Sequence, residues 1–297
     1  MKRLIVLGAN GMLGSEVVRI AKVNSIPVVA ISRSSEVPFD VESMEFEQVA
    51  RKLGLSESDW LVNCIGWIPQ KSSGDKNEDK RLATLLNTNL PHQLSRAKAQ
   101  LGFNWIQIAT DCVFKGDRGK YSESSTRDAE DLYGLSKIAG EELSKGAIQI
   151  RCSIVGRDTR TNSGLYSWFK SAASTGPVNG YVNQHWNGVS ANAFARLSIG
   201  MLMGDWTTPA SQHWLPRDAV SKFELLELFA KSLELRPGAA APVQANDSVN
   251  RILVTENQNA SDVLWKLAGY SKVPTIDELF QEFIATDRKL GSTDEQK

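Results

Sequence analysis

The feature that most constrains the fold is a short apolar run, Leu4-Ile5-Val6-Leu7, that stops on Gly8-Ala9-Asn10-Gly11-Met12-Leu13-Gly14. Such a run ending at glycine reads as a buried parallel strand. Residues 11–23 then read as a helix with Leu13, Val17, Ile20 and Ala21 on one side. Each glycine of the turn has a job in a strand–turn–helix unit. Gly8 permits the tight turn, Gly11 lets backbone approach a pyrophosphate, and Gly14 lets the helix pack close to the sheet. The helix start offers free N–H groups and the positive end of a dipole. Gly8, Asn10, Gly11 and Gly14 are therefore expected to face a dinucleotide.

The same rhythm continues. Strands are expected at Pro27–Ile31, Trp60–Cys64, Trp105–Ala109 and Ala147–Arg151. Helices are expected at roughly 45–53, 78–100 and 131–145, with Pro91 starting or kinking the middle one. This alternation predicts an α/β, Rossmann-type doubly wound parallel sheet. After residue 152 the rhythm breaks, and loops around a ligand are expected over 157–192. A helix is expected at 219–235, carrying Phe223, Leu226, Ala230 and Leu233 inward, and a surface connection at 236–248. Thr275-Ile276-Asp277-Glu278 is a capping box that opens a last amphipathic helix through Ile284, before a frayed polar tail. The expected division is an NADP-binding domain at 1–152 and a smaller C-terminal α/β substrate domain over 153–297. Segments near 190–220 are free to return to the first.

Cofactor choice is read at the end of the second strand. An NAD site places an acid there for the ribose hydroxyls. This chain has Ile31-Ser32-Arg33-Ser34-Ser35, with the first acid at Glu36. Ser32 and Arg33 suit a 2′-phosphate through charge-assisted hydrogen bonds. NADP(H) is favoured, and NAD(H) is the alternative.

Tyr-x-x-x-Lys occurs twice, as Tyr133/Lys137 and as Tyr166/Lys170. The first lies in the cofactor half, on a helix, where spacing i, i+4 puts both side chains on one face. The second lies past the last cofactor-domain strand and is assigned to packing or a lid. A carbonyl that accepts hydride needs a proton on its oxygen. A lysine ammonium near Tyr133 is expected to lower the phenol pKa and make it the general acid. Lys137 is also placed to hold the nicotinamide ribose. Thr110, just past a strand, is placed to bind and orient the same oxygen.

Five segments, GANGMLG at 8–14, VNCIG at 62–66, NTNLP at 87–91, ATDCVFKGDRGKYSE at 109–123 and YGLSKIAGEE at 133–142, resemble the extended short-chain dehydrogenase/reductase family. They are most like its dTDP-4-dehydrorhamnose reductase branch. The resemblance covers most of the first 150 residues. It implies Thr110, Tyr133 and Lys137 as a catalytic triad and Gly11, Met12 and Leu13 at the pyrophosphate. Asp40 and Val41 would flank the adenine, and Cys64, Ile65 and Gly66 would line the cofactor. Asp111 would sit beside the substrate. Asn183 and Gln184 through Ser190, including Trp186, resemble a loop at the substrate mouth. Two positions depart from that branch. Cys112 stands where Tyr is common, and Ile154 lies where an aromatic helps hold the sugar. Core packing is the expectation for Trp67, Trp186 and Trp214 taken singly.

The function expected is NADPH-dependent reduction of a 4-keto (deoxy) nucleotide sugar. A sugar epimerase or dehydratase is the alternative, although Cys112 removes half of the acidic pair that such dehydratases carry after the threonine. A non-catalytic NADP-binding regulatory subunit is a third reading. The chain has 34 basic and 34 acidic residues, which argues against a nucleic-acid partner. Its three cysteines, in no paired spacing, suit a reducing compartment and no metal cluster. With no apolar run of membrane length, a cytoplasmic protein is expected. A homodimer is left open.

Overall fold

The computed structural model describes residues 2–158, 160, 164–204, 206 and 208–294, the last four by backbone alone. The first half runs β1 (Leu4–Leu7), α1 (Met12–Val23), β2 (Val28–Ile31), α2 (Phe46–Lys52), β3 (Trp60–Asn63), α3 (Lys76–Ala83), α4 (Leu90–Leu101), β4 (Asn104–Ala109), α5 (Leu132–Leu143) and β5 (Ile148–Arg151). The second half adds β6 (Ile154–Val155), α6 (Leu165–Ala172), β7 (Val178–Tyr181), β8 (Gln184–Trp186), β9 (Val189–Ser190), α7 (Ala191–Met203) and β10 (Ser211–His213). It closes with β11 (Val220–Ser221), α8 (Lys222–Ser232), β12 (Ala240–Val243), β13 (Val249–Asn250), α9 (Gln258–Leu267) and α10 (Ile276–Asp294).

Six strands form one parallel sheet in the order β10-β5-β4-β3-β1-β2. Leu4 sits between Val28 and Trp60 in register. The chain leaves β1 for β2 on one side and returns to β3 on the other, so the topological switch lies at β1 and opens a crevice at its carboxyl end.

The apolar runs explain the layering. Side chains alternate across a strand. Leu4 and Val6 therefore join the core under α1 and α7, with Val17, Ile20 and Phe194. Ile5 and Leu7 point the other way, into the core under α2 and α4, with Phe46, Val49 and Leu94. The four α1 residues expected to face inward are all buried.

Several boundaries differ from expectation. The stretch 78–100 is not one helix. A π-helical turn, Thr84–Asn89, separates α3 from α4, and Pro91, which has no N–H to give, follows directly on it in the first turn of α4. The connection expected at 236–248 holds β12, which pairs in parallel with β7 through Ala240 and Val178. The inner face of α8 is set by Leu225, Leu226, Phe229 and Ala230. The region 157–192 is more regular than a set of loops, containing α6 and β7 to β9, although 159 and 161–163 lie outside the described residues. The capping box forms between Thr275 and Glu278, and α10 runs past Ile284 to Asp294; residues 295–297 are not described. No helix among the described residues is long and apolar enough to cross a membrane.

Candidate active site

Gly8 has φ +77°, and a Cβ there would lie 3.0 Å from Ile65 Cγ1 and 3.1 Å from the Cys64 carbonyl. A Cβ on Gly14 would lie 2.2 Å from the Gly8 carbonyl oxygen, so only glycine lets α1 start this close to the turn. Gly11 closes the turn by donating its N–H to Gly8 O at 2.9 Å, and it is the N-cap of α1. It has no side chain to cap the helix, and the first turn of α1 holds no acid. The first N–H groups of α1 are thus left without intrahelical partners.

Gly11, Met12 and Leu13 line a cleft of about 710 Å³. Cys64, Ile65 and Gly66, after β3, line it too. So do Thr110 and Cys112 after β4, Tyr133 and Lys137 on α5, and Cys152 to Gly156 after β5. Residues from the ends of four adjacent parallel strands therefore meet in one space. The three cysteines all border it as free thiols.

The start of α5 is held in place by Asp131, whose carboxylate accepts from Gly134 N at 2.8 Å. Gly134 lets the helix touch the loop after β4, because a Cβ there would lie 2.5 Å from Cys112 O. Gly140 lets it touch the π turn, because a Cβ there would lie 1.9 Å from Asn87 O. These two contacts bring Tyr133 beside Thr110. Lys137 is buried, and its ammonium donates to Ile108 O at 2.8 Å. The Thr110 hydroxyl donates to Asp111 Oδ1 at 3.1 Å and accepts from Cys112 N at 3.2 Å.

The electrostatics correct one expectation. Burial, first of all, pushes the Tyr133 phenol above the ordinary tyrosine value. Nearby Cys112, Asp111 and Asp131 add to this, and a hydrogen-bonding contact with Thr110 opposes it. Burial also pulls the Lys137 ammonium below the usual lysine value. Burial pushes the Cys112 thiol up to about 12, so it is no neutral-pH acid or base.

Other expected residues fall outside the cleft lining. Ser32 and Arg33 follow β2, and Asn10 Nδ2 donates to Ser32 Oγ at 3.1 Å, joining that loop to the glycine turn. Arg33 is exposed and has no ion-pair partner among the described residues. Residues 38–41 run back beside Ser32, with Phe39 N donating to Ser32 O. Val41 is buried in the second core, and the Asp40 carboxylate accepts from Glu42 N. Asp111 is buried and faces Thr110 rather than lining the cleft. The Asn183 side-chain amide exchanges two hydrogen bonds with the Ala245 backbone, and Asn183 is not part of the cleft lining. Gln184, on β8 paired with β13, does not line the cleft either. Trp186 does, as does Trp67, while Trp214 is buried core against Trp265. Tyr166 and Lys170 both bind the buried Asp287 carboxylate, which ties α6 to α10.

Sequence reasoning passed over three contributors. Asn87 is buried, accepts from Trp67 N, and donates to Trp67 O and Ser136 Oγ, clamping the loop after β3 to α5. Its signal was the NTN triplet. Lys222 and Arg251, from distant parts of the chain, also enter the cleft. No motif marks them. Among the described residues no cluster of three metal-ligating side chains is present.

The family described as RmlD substrate binding domain matches residues 1–286. The chain belongs to that family. A probable low-salt glycan biosynthesis reductase, Agl14, of Haloferax volcanii is 30% identical over 184 residues, 58% of this chain and 60% of that one. A dTDP-4-dehydrorhamnose reductase of Mycobacterium tuberculosis is 28% identical over 146 residues, 48% of this chain and 45% of that one. The chain thus spans about half the length of the curated relatives it matches. The fold extends further. The crystal structure of a Bacillus anthracis dTDP-4-dehydrorhamnose reductase in complex with NADP superimposes with a TM-score of 0.76 at 19% identity, covering 96% of this chain and 100% of that one. That likeness is one of fold.

Proposed function

We propose that this chain is an oxidoreductase that reduces the ketone of a 4-keto nucleotide sugar with NADP(H), with NAD(H) the less suited cofactor. The observation that carries this reading is the meeting of Thr110, Tyr133 and Lys137 in the cleft onto which the uncapped start of α1 opens.

The residues fit a dinucleotide. The glycine turn is a cradle that Cβ atoms would fill; Gly11 lets backbone approach a pyrophosphate, and Met12 and Leu13 would offer it their N–H groups. Ser32 and Arg33 would hold a 2′-phosphate, and Asp40 and Val41 would flank the adenine. Cys64, Ile65 and Gly66 would line the path to the nicotinamide. The bound cofactor supplies a hydride. The protein supplies the rest.

Thr110 and Tyr133 would bind the ketone oxygen and orient it. As hydride reaches the carbon, that oxygen becomes an alkoxide, and Tyr133 gives it a proton. Burial keeps the phenol protonated at neutral pH, so its proton is in place when the alkoxide forms. Lys137, fixed by Ile108 O, lies on the same helix face and would stabilise the phenolate until solvent returns the proton. The high thiol pKa of Cys112 leaves dehydratase-type acid/base chemistry without its second acid. The three free thiols suit a reducing, cytoplasmic setting.

The test is loss of NADPH absorbance with a panel of dTDP-, UDP- and GDP-linked 4-keto sugars, comparing wild type with Tyr133→Phe. The expected loss is roughly 100-fold or more in kcat. Equal rates would remove Tyr133 from this role, and NADPH binding without turnover of any sugar would favour a regulatory subunit.

A further inference from the structure

The proposed reduction leaves two cations in the same cleft without a task. Lys222 is the first residue of α8, and its ammonium lies 5.6 Å over the Trp186 ring. Among the described residues it makes no hydrogen bond or ion pair. Arg251 follows β13 and enters beside it. Its Nε donates to Phe114 O at 2.9 Å, Nη1 lies 3.8 Å from Cys112 Sγ, and Nη2 donates to Lys115 O at 3.4 Å and lies a loose 3.8 Å from Asp131 Oδ2. Lys222 and Arg251 both feel Cys112, the residue between the loop of Thr110 and the phenol of Tyr133.

Lys222 is costly where it stands. A cation at the first position of a helix opposes the dipole. Burial pulls its pKa below the usual lysine value, with Asp111 countering and Arg251 adding to the effect. The Asp111 carboxylate is itself engaged by the Thr110 hydroxyl and lies beyond ion-pair distance of Lys222. The Trp186 indole N–H also has no partner. A half-buried ammonium with no partner among the described residues and a guanidinium therefore share the cleft with Thr110 and Tyr133.

Other cations of the cleft would serve a diphosphate. Lys71 and Arg160 line another part of the cleft and act on each other and on Asp158, not on Lys222. The anion that suits Lys222 and Arg251 belongs on the sugar ring.

We infer that Lys222 and Arg251 recognise a carboxylate on the sugar, beside the carbon that is reduced, so that the substrate class is a nucleotide-linked hexuronate rather than a 6-deoxy sugar. This inference rests on the nucleotide-sugar reading above. Ile154, the aliphatic residue in the cleft wall after β5, leaves the polar recognition to these cations.

The test is calorimetric titration of the NADP-loaded protein with UDP-glucuronate against UDP-glucose, and dTDP-glucuronate against dTDP-glucose. Within each pair only the C6 carboxylate differs. The uronate is expected to bind roughly 10- to 100-fold tighter, as charge-assisted hydrogen bonds imply. In Lys222→Met that ratio should collapse toward one, and Lys222→Arg should restore it. Equal binding of the two sugars by wild type, or a ratio that survives Lys222→Met, overturns the inference and leaves the nucleotide-sugar reading standing. Binding of none of the four overturns both. The wild-type comparison decides the matter even if a variant fails to fold.

Discussion

The Lys137 ammonium and the Ile108 carbonyl oxygen are joined by a 2.8 Å hydrogen bond that ties the middle of α5 to the end of β4. Thr110 lies two residues beyond Ile108, and Tyr133 one helical turn before Lys137. That contact joins the two segments that carry all three groups.

Replacing Lys137 by Met should separate chemistry from stability. The kcat for NADPH oxidation is expected to fall about 100- to 1,000-fold. The melting temperature should hold or rise, because a desolvated cation is removed and Ile108 keeps its place in the β4–β5 ladder. Assay and thermal melt on the same preparation check both.

Arg33 is exposed, without an ion-pair partner among the described residues, in the loop that Asn10 fastens to the glycine turn. Arg33→Ala should raise the KM for NADPH roughly 10-fold or more and leave that for NADH nearly unchanged. Parallel changes for the two cofactors would count against a contact with the 2′-phosphate.

Gly14 faces the Gly8 carbonyl so closely that a methyl group must move backbone. Gly14→Ala is expected to cost about 1–3 kcal/mol in chemical denaturation. It should also weaken NADPH binding, since the turn is what shifts. A stable variant with normal binding would show that the turn tolerates displacement.

Acid should destabilise the protein through His213. Its Nε2 accepts from Arg151 Nη1 at 2.7 Å, so Nδ1 carries the proton given to Val254 O at 2.8 Å. Burial, then Arg151, pushes its pKa down to about 4. A histidine depressed on folding binds fewer protons folded than unfolded between that value and the unfolded one. Its contribution is whole above about pH 6.5 and is lost as pH falls toward 4. On the order of 2–3 kcal/mol should disappear across that window in urea titrations. His213→Gln should flatten the slope there.

What the sequence makes legible is what is local. The Leu4–Leu7 run, the glycine turn and the inward side of α1 follow from period and spacing within about twenty residues. Tyr133 and Lys137 share a helix face for the same reason, and position along the chain separates them from Tyr166 and Lys170. The rest depends on distant partners. Helical period runs through Thr84–Asn89 unchanged, so nothing marks the π turn until Gly140 packs on Asn87 O. β12 contains Pro242 and gains its strand form from β7. Asn183 resembles a mouth residue, yet Ala245, 62 positions later, takes its amide. The sign of the Tyr133 shift follows from burial, which spacing to Lys137 does not encode.

The last strand of the central sheet has a consequence for how the molecule is made. β10 arrives after residue 210 and pairs with β5 through Gln149 and Arg151. A fragment cut at Cys152 would leave β5 as a bare rim of unpaired N–H and C=O groups, ready to pair with another chain. Synthesis from the amino end therefore passes through a long interval in which the edge of β5 is unsealed. Excising that half as a free-standing module should give an aggregating product unless residues 190–220 travel with it.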